Sequence, residues 1–161
     1  QAFGLSHDAA EPLGFRLESD AFSFGLVTDL GYWTDEVAEA IEGVRALFVE
    51  SNYDADMLRN GPYPRFLKRR ISSSGGHLSN DQTRALLRRV SHSDLECVIL
   101  GHLSEKNNDP EIALSSARRV ITDEGVEVVA ARRKAPSRLL QFTRPSSQTQ
   151  TETGPRQGRL F

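Results

Sequence analysis

Short apolar runs that alternate with amphipathic segments are the dominant pattern of this chain. Each run has the length and the branched or aromatic residues of a buried strand, and the four runs cover residues 22–27, 46–49, 96–100 and 126–130. Residues 14–18 predict one more strand, which the polar turn Ser19-Asp20 joins to the first run as a hairpin. Cap residues and apolar spacing predict three helices between the strands, over residues 34–41, 80–90 and 109–121. The order β-β-α-β-α-β-α-β predicts an α/β domain built in layers.

The sequence changes character after residue 142. From Thr143 onward it consists mainly of Pro, Ser, Gln, Thr and Arg, which cannot bury enough apolar surface to offset the entropy lost on ordering. We therefore expect one domain over residues 1–142 and a disordered tail over residues 143–161. Because the chain begins with Gln1 rather than methionine and starts almost directly on a polar motif, we also expect it to be a fragment of a longer protein.

Charge and cysteine content limit which partners the chain can bind and in which cell compartment it is expected. Lys and Arg number 20 against 22 Asp and Glu, so the net charge of -2 provides no overall attraction for nucleic acid, and any polyanion must be held locally. The single cysteine, Cys97, excludes an intrachain disulfide and favours a reducing, cytoplasmic setting. No segment approaches the ~20 apolar residues of a membrane span, so no membrane partner is expected.

Polar residues follow two of the predicted strands. Asp29 comes just after the strand 22–27 and His102 just after the strand 96–100, and both residue types are ligands for zinc, manganese or iron. His7 and His77 lie in loops flanked by Ser or Gly. Spacing alone leaves two interpretations open, because a loop histidine is often an ordinary surface residue and Asp29 could equally be a turn residue.

Five motifs occur in the order that is found in metallo-β-lactamase-fold hydrolases, and they most resemble the YycJ-type branch. The resemblance extends over roughly residues 3 to 130. It implies that the chain is the C-terminal part of the αββα metallo-β-lactamase sandwich, whose first half supplies a His-x-His-x-Asp-His loop that these residues lack. The motifs are Ser6-His7-Asp8-Ala9-Ala10-Glu11-Pro12-Leu13-Gly14-Phe15, Thr28-Asp29-Leu30-Gly31, Glu50-Ser51-Asn52-Tyr53-Asp54, Gly76-His77-Leu78-Ser79-Asn80 and Gly101-His102-Leu103-Ser104.

The resemblance also implies roles for individual residues. His7, Asp29 and His102 would be metal ligands, with the Asp29 carboxylate bridging two divalent ions, zinc or manganese. Asp29 and His77 would be the catalytic residues, and His77 would lie at the rim of the pocket beside the scissile phosphate without binding metal. Its proton relay would need a partner such as Glu50.

Three further residues are expected to bind the substrate: Asn52, Arg69 and Arg70. The two arginines belong to the basic segment 65–70, just before His77, which could hold a nucleic-acid backbone beside the scissile bond. The competing interpretation is that this segment is an ordinary solvated face.

The expected function is a metal-dependent hydrolase, a phosphodiesterase or nuclease acting on nucleic acid. Two metals in such a site lower the pKa of a bridging water, so that hydroxide is available near neutral pH. The isolated chain is expected to be inactive, because three ligands shared over two metals leave both ligand shells open. One alternative is a phosphoryl-transfer domain, which leaves the histidines unexplained.

A second alternative is a non-catalytic binding or scaffold protein of the same fold that docks on the DNA sliding clamp. The chain ends on Gln157-Gly158-Arg159-Leu160-Phe161, which resembles the Gln-x-x-Leu-Phe peptide by which bacterial DNA polymerases and repair proteins bind that clamp. Gln157, Leu160 and Phe161 are therefore the expected partner-binding residues. A chance pair of terminal apolar residues is the competing interpretation.

Overall fold

The computed structural model describes residues 1–142, so the predictions for the tail, including Gln157, Leu160 and Phe161, lie outside the described residues. Within residues 1–142 the chain forms six strands and five helices. None of these helices combines the length and the hydropathy needed to cross a lipid bilayer. The strands are β1 (Ala2–Gly4), β2 (Leu13–Ser19), β3 (Phe22–Val27), β4 (Ala46–Glu50), β5 (Cys97–Gly101) and β6 (Glu127–Ala130), and the helices are α1 (Asp35–Ala40), α2 (Ala55–Asn60), α3 (Arg65–Ile71), α4 (Asn80–Val90) and α5 (Pro110–Arg118).

The strands form one sheet in the order β1-β2-β3-β4-β5-β6. Strands β1 to β3 are antiparallel neighbours, as the predicted hairpin requires, whereas β3 to β6 are mutually parallel. Parallel neighbours need crossover connections, which the helices supply. The carboxyl ends of β3, β4, β5 and β6 therefore meet at one edge of the sheet, where ligand sites of open α/β sheets are built.

One face of the sheet carries the hydrophobic core. Val27, Val49 and Leu100 are fully buried there with residues of the helices, such as Ile41 and Leu86. The other face of the same strands is also apolar, which explains why they appear in the sequence as nearly continuous apolar runs.

The opposite face of the sheet is apolar but open among the described residues. Phe15, Leu26, Phe48 and Ile99 occupy paired positions across four strands, and Phe15 is 40% exposed. Leu17, on the same face of β2, is 58% exposed. An exposed apolar surface of this extent is typical of an interaction site.

Most predicted elements are present, and the differences have local causes. The cap of α4 is Ser79, one residue before the expected Asn80-Asp81, because Ser79 and Gln82 form a reciprocal capping box. Helix α5 ends at Arg118 rather than near residue 121.

Strand β1 and helices α2 and α3 were not predicted. Strand β1 has three residues, and α2 has six, which is too short for a clear periodicity. Helix α3 has seven residues and none is fully buried, so its one apolar pair, Leu67 and Ile71, is too little for the sequence to indicate a helix. The segment that was expected only to be basic is therefore helical.

Candidate metal centre

Two residues at the carboxyl edge of the sheet have left-handed backbone conformations. Asp29 follows β3 with φ of 62°, and His102 follows β5 with φ of 55°; among residues 1–142 they are the only non-glycine residues with positive φ. This conformation costs on the order of 1–2 kcal/mol for a residue with a Cβ, and such strain concentrates at functional sites. The two predicted strand-end ligands are thus the two strained positions.

Glu50 lies between them, as the last residue of β4, and its side chain is fully buried. Its Oε2 accepts a hydrogen bond from the backbone N–H of Leu30 at 3.1 Å, and its Oε1 lies 2.8 Å from Nδ1 of His102. Burial alone would raise the pKa of this carboxyl, but the contacts with His102 and His77 and the Leu30 N–H outweigh it and lower the pKa. Glu50 is therefore a buried carboxylate anion.

His102 is the counterpart of this anion. The hydrogen bond to Glu50 raises the pKa of His102, although partial burial and the positive charge of Arg133 oppose the rise. With Nδ1 occupied by a carboxylate, Nε2 is the ring nitrogen left for another ligand. Histidines that bind metals commonly have this carboxylate partner on the second nitrogen.

His77 lies between the other two histidines of the site. Its ring centroid is 5.1 Å from that of His7 and 5.0 Å from that of His102. Its Nδ1 lies 2.8 Å from Oε1 of Glu50, so the two residues are paired as expected, and 4.0 Å from Oδ1 of Asp29. The orientation is not that of a hydrogen bond, which leaves this buried nitrogen without a hydrogen-bond partner among the described residues. His77 thus lies within the cluster and not at its rim.

His7 completes the cluster from the loop after β1. Its Nδ1 lies 2.8 Å from the carbonyl oxygen of Gly76, and its Nε2 lies 3.8 Å from Oδ1 of Asp29. Gly76 itself lies close against the end of α3. Only glycine fits there, because a Cβ would collide with the backbone oxygens of Arg70 and Ile71. Gly76 therefore positions His7 through its carbonyl oxygen, and the same loop carries His77 as the next residue.

The donor set suits a divalent transition metal. Two groups have ligand atoms within 4.8 Å of one another: His7, Asp29 and His77, and Glu50, His77 and His102. Carboxylate oxygens and imidazole nitrogens are ligands for zinc and manganese. The unpartnered Nδ1 of His77 adds a buried polar atom that a further ligand would satisfy.

The predicted ligand set differs from both of these groups. Oδ1 of Asp29 lies 3.8 Å from Nε2 of His7 and 3.5 Å from Nδ1 of His102, the nitrogen that also contacts Glu50, so the three residues lie around one carboxylate oxygen. His77, expected to stay outside the ligand shell, belongs to both groups instead. The four predicted residues therefore lie in one cluster, with His77 shared by both groups.

Asn52 has a different place from the one expected of a substrate-binding residue. Its side chain is only 7% exposed, and its Nδ2 donates to the backbone carbonyl of His102 at 2.8 Å. Asn108 in turn donates to the backbone carbonyls of Ser51 and Asn52. Asn52 therefore holds the strained backbone of His102 in position. The adjacent pair Asn107-Asn108, just before the cap of α5, is the one feature of the sequence that indicates this network.

The two predicted basic residues lie at the side of the cluster. Arg70 lines a small cleft of about 130 Å³ with His7 and His77, and its guanidinium lies 3.5 Å from Oδ2 of Asp8. Arg69 is exposed on the same helix and does not line this cleft. Arg70 is therefore close enough to the histidines to contact a ligand held there.

Comparison with known proteins gives relatives that are DNA nucleases. The chain is 38% identical over 128 residues to the exodeoxyribonuclease YycJ of Bacillus anthracis, covering 80% of this chain and 48% of that protein. It is 41% identical over 113 residues to the exodeoxyribonuclease WalJ of two Streptococcus pneumoniae strains, covering 70% of this chain and 42% of those proteins. The chain thus spans about half the length of these relatives. No protein-family model matches it.

The fold also has a solved counterpart. The metallo-β-lactamase fold protein YhfI of Bacillus subtilis matches with a TM-score of 0.59 and 16% identity, over 81% of this chain and 45% of that protein. At this level of identity the likeness concerns the fold alone. The expected α/β fold of metallo-β-lactamase type is confirmed.

The left-handed conformation of Asp29 leads to a stability prediction. Asp29→Gly and Asp29→Ala remove the same carboxylate, but only alanine retains the Cβ that disfavours positive φ. We expect the glycine variant to have the higher free energy of unfolding, by about 1 kcal/mol, in urea titrations with EDTA present. Equal stability of the two variants would show that the strain at this position is not real.

The pairing of Glu50 with His102 predicts a pH dependence in EDTA. The lowered pKa of Glu50 contributes stability that is present above its ordinary value of 4.5 and is lost as the pH falls through the folded-state pKa. The raised pKa of His102 contributes stability that is present below its ordinary value of 6.5 and is lost as the pH rises through the folded-state pKa. Glu50→Gln should therefore reduce the free energy of unfolding most between pH 4.5 and 6.5. A wild-type-minus-variant difference that stays constant from pH 5 to pH 9 would contradict this pairing.

Proposed function

We propose that this chain, a YycJ-type protein with the metallo-β-lactamase fold, forms part of the active site of a metal-dependent nuclease that hydrolyses phosphodiester bonds in DNA. The observation that carries the proposal is the cluster of Asp29, Glu50 and three histidines at the carboxyl edge of the sheet. Its relatives that share 38% and 41% identity bear the name exodeoxyribonuclease, which favours DNA as the substrate.

The proposed cofactors are two divalent ions, zinc or manganese. His7, Asp29 and His102 would hold them, because the two imidazole side chains lie beside the Asp29 carboxylate. When bound, such ions activate water near neutral pH and neutralise the charge of the reacting phosphate. Glu50 would not bind the ions itself. It fixes the orientation of the His102 ring through the contact with Nδ1.

His77 is proposed to act on the substrate. Its Nδ1 lies beside the Glu50 carboxylate, so its Nε2 is the nitrogen available to give a proton to the leaving oxygen. Arg70, across the small cleft, would contact a phosphate oxygen of the bound nucleotide. Arg70 would thus bind the phosphate and His77 would protonate the leaving oxygen, whereas Asn52 and Glu50 keep His102 in position.

The remaining ligands are proposed to lie on another part of the protein. A match to about half of each relative agrees with a chain that supplies one half of a sandwich. The open apolar face of the sheet, with Phe15, Leu26 and Phe48, would be covered by the other half. Residues 1–142 would then be the C-terminal part of the catalytic domain.

Three alanine variants in the full-length protein test the proposed roles of Asp29 as a metal ligand and of His77 as a proton donor. Asp29→Ala should lose both bound metal and DNA hydrolysis, whereas His77→Ala should keep its metal and lose at least 100-fold in turnover. His92→Ala is the matched control, because His92 contacts the Val44 carbonyl away from the cluster. Metal content by mass spectrometry and hydrolysis of a labelled DNA strand are the measurements.

Three outcomes would contradict this assignment. Equal metal loss in the Asp29 and His77 variants would make His77 a ligand. Wild-type protein that binds metal but hydrolyses no DNA would favour the non-catalytic scaffold instead. Loss of activity in His92→Ala would show that the assay reports general damage to the fold.

A cytoplasmic location is also part of the proposal. Cys97 is buried, and burial raises the pKa of its thiol to about 11, so it is protonated and poorly reactive at neutral pH. A single unreactive thiol agrees with a reducing compartment.

A docking role on the DNA sliding clamp is proposed for Gln157, Leu160 and Phe161, on the strength of their sequence alone. A peptide with these residues should bind the clamp with micromolar affinity, because an unfolded segment loses entropy when it docks. Fluorescence anisotropy should show that Leu160→Ala with Phe161→Ala abolishes binding, whereas Arg159→Ala, at a position without a fixed residue, leaves it intact. Equally poor binding by all three peptides would exclude the docking role.

A further inference from the structure

Helix α3 has a packed side and an outer side. Its half-buried residues Leu67, Lys68 and Ile71 lie on the packed side, where Leu67 and Ile71 line the small cleft together with His7 and His77. The outer side is exposed and carries three arginines and one phenylalanine, namely Arg65, Phe66, Arg69 and Arg70. This outer side therefore presents one aromatic ring among cations, next to the cleft of the candidate site.

Hydrogen bonds attach α3 to the loop that carries the site histidine. The backbone N–H of His77 donates to the carbonyl oxygen of Ile71, the last residue of the helix, at 2.9 Å. On the other side, Nζ of Lys68 donates to the carbonyl oxygen of Arg59 at 2.7 Å, which joins α3 to α2. The outer side of α3 is therefore held in a fixed position relative to His77.

Phe66 is the most exposed aromatic residue within residues 1–142, with 68% of its surface accessible. A single exposed apolar side chain is common and needs no explanation by itself. Its neighbours distinguish this one, because residues three and four positions apart are adjacent on a helix, and here they are Arg69 and Arg70. Arg70 lines the cleft with His77, and it lies about 6 Å along the helix axis from Phe66. The ring is thus within the span of one nucleotide from the proposed phosphate contact.

This combination fits the end of a DNA duplex. Inside a duplex the faces of the bases are covered by stacking, and only the terminal base pair has a free face. An aromatic side chain can stack on that face whatever the sequence, because every base has a π-face. Arginines attract the adjacent phosphates, also without regard to sequence. The outer side of α3 therefore offers a suitable contact for each exposed group of a DNA end.

We propose that Phe66 stacks on the terminal base pair of duplex DNA while Arg69 and Arg70 contact phosphates of the same end. The inference rests on the proposed nuclease function and deepens it, because it assigns the recognition of a DNA end to a particular residue. Phe66 is then a specificity-determining residue that takes no part in metal binding or proton transfer.

Binding to open and closed duplexes tests this assignment without hydrolysis. Fluorescence anisotropy is measured for the full-length protein in EDTA with a labelled blunt duplex. The same duplex, closed at both ends by non-nucleotide linkers that cover the terminal base pairs, is measured in parallel. Phe66→Ala should weaken binding to the open duplex on the order of tenfold, the loss expected when one base–aromatic stack is removed. Binding to the closed duplex should change by less than about twofold, because it offers no base face to stack on.

Two further substitutions at position 66 separate stacking from packing. Phe66→Trp keeps an aromatic ring and should retain tight binding to the open duplex, whereas Phe66→Leu keeps an apolar side chain without a π-face and should not. Arg69→Ala is the control for charge. It should weaken binding to both duplexes alike and lower the slope of log K against log salt by about 1, as expected for one lost phosphate contact.

Several results would overturn the proposal. Phe66→Ala that binds the open duplex as tightly as wild type, or that loses affinity equally for both duplexes, would show that the ring does not contact the DNA end. Full binding by Phe66→Leu would show that the side chain only packs against another part of the protein. None of these results depends on hydrolysis, so failure of the nuclease function would be detected separately, as intact DNA under metal-loaded conditions.

Discussion

The buried carboxylate of Glu50 is the interaction on which the site depends. A buried charge is costly unless hydrogen bonds and opposite charges surround it, and here Leu30, His102 and His77 provide those contacts. Each contact attaches a different segment: the turn after β3, the turn after β5 and the loop before α4. The backbone carbonyl of Glu50 also accepts from Thr83 on α4. One side chain thus fixes the relative positions of the segments that carry Asp29, His77 and His102, while His7 is held through the carbonyl of Gly76.

The parallel sheet makes this convergence possible, and local strain completes it. Strands β3, β4 and β5 end at the same edge, so the residues that follow them are neighbours in space although they are far apart in sequence. The left-handed turns at Asp29 and His102 are held by surrounding contacts, such as the hydrogen bond from Asn52 to the His102 carbonyl. The site is therefore a consequence of one sheet edge.

The sequence could predict the strands and the strand-end residues because both depend on local patterns. Apolar runs identify β3 to β6, and the polar residue after each run identifies the edge. The position of His77 within the cluster could not be predicted, since it depends on how the Gly76 loop returns to β1. The buried role of Asn52 was missed because a polar residue in a loop motif gives no sign of its burial.

The central claim is that Asp29, His7 and His102 hold metal at this edge while Glu50 fixes the ring of His102 without binding metal. Anomalous diffraction from crystals of the full-length protein grown with manganese tests it most directly. The account predicts anomalous peaks at about 2.0–2.2 Å from Asp29 oxygen and from imidazole nitrogens of His7 and His102, with Glu50 outside the ligand shell. A peak coordinated by Glu50, His77 and His102, without Asp29, would contradict it.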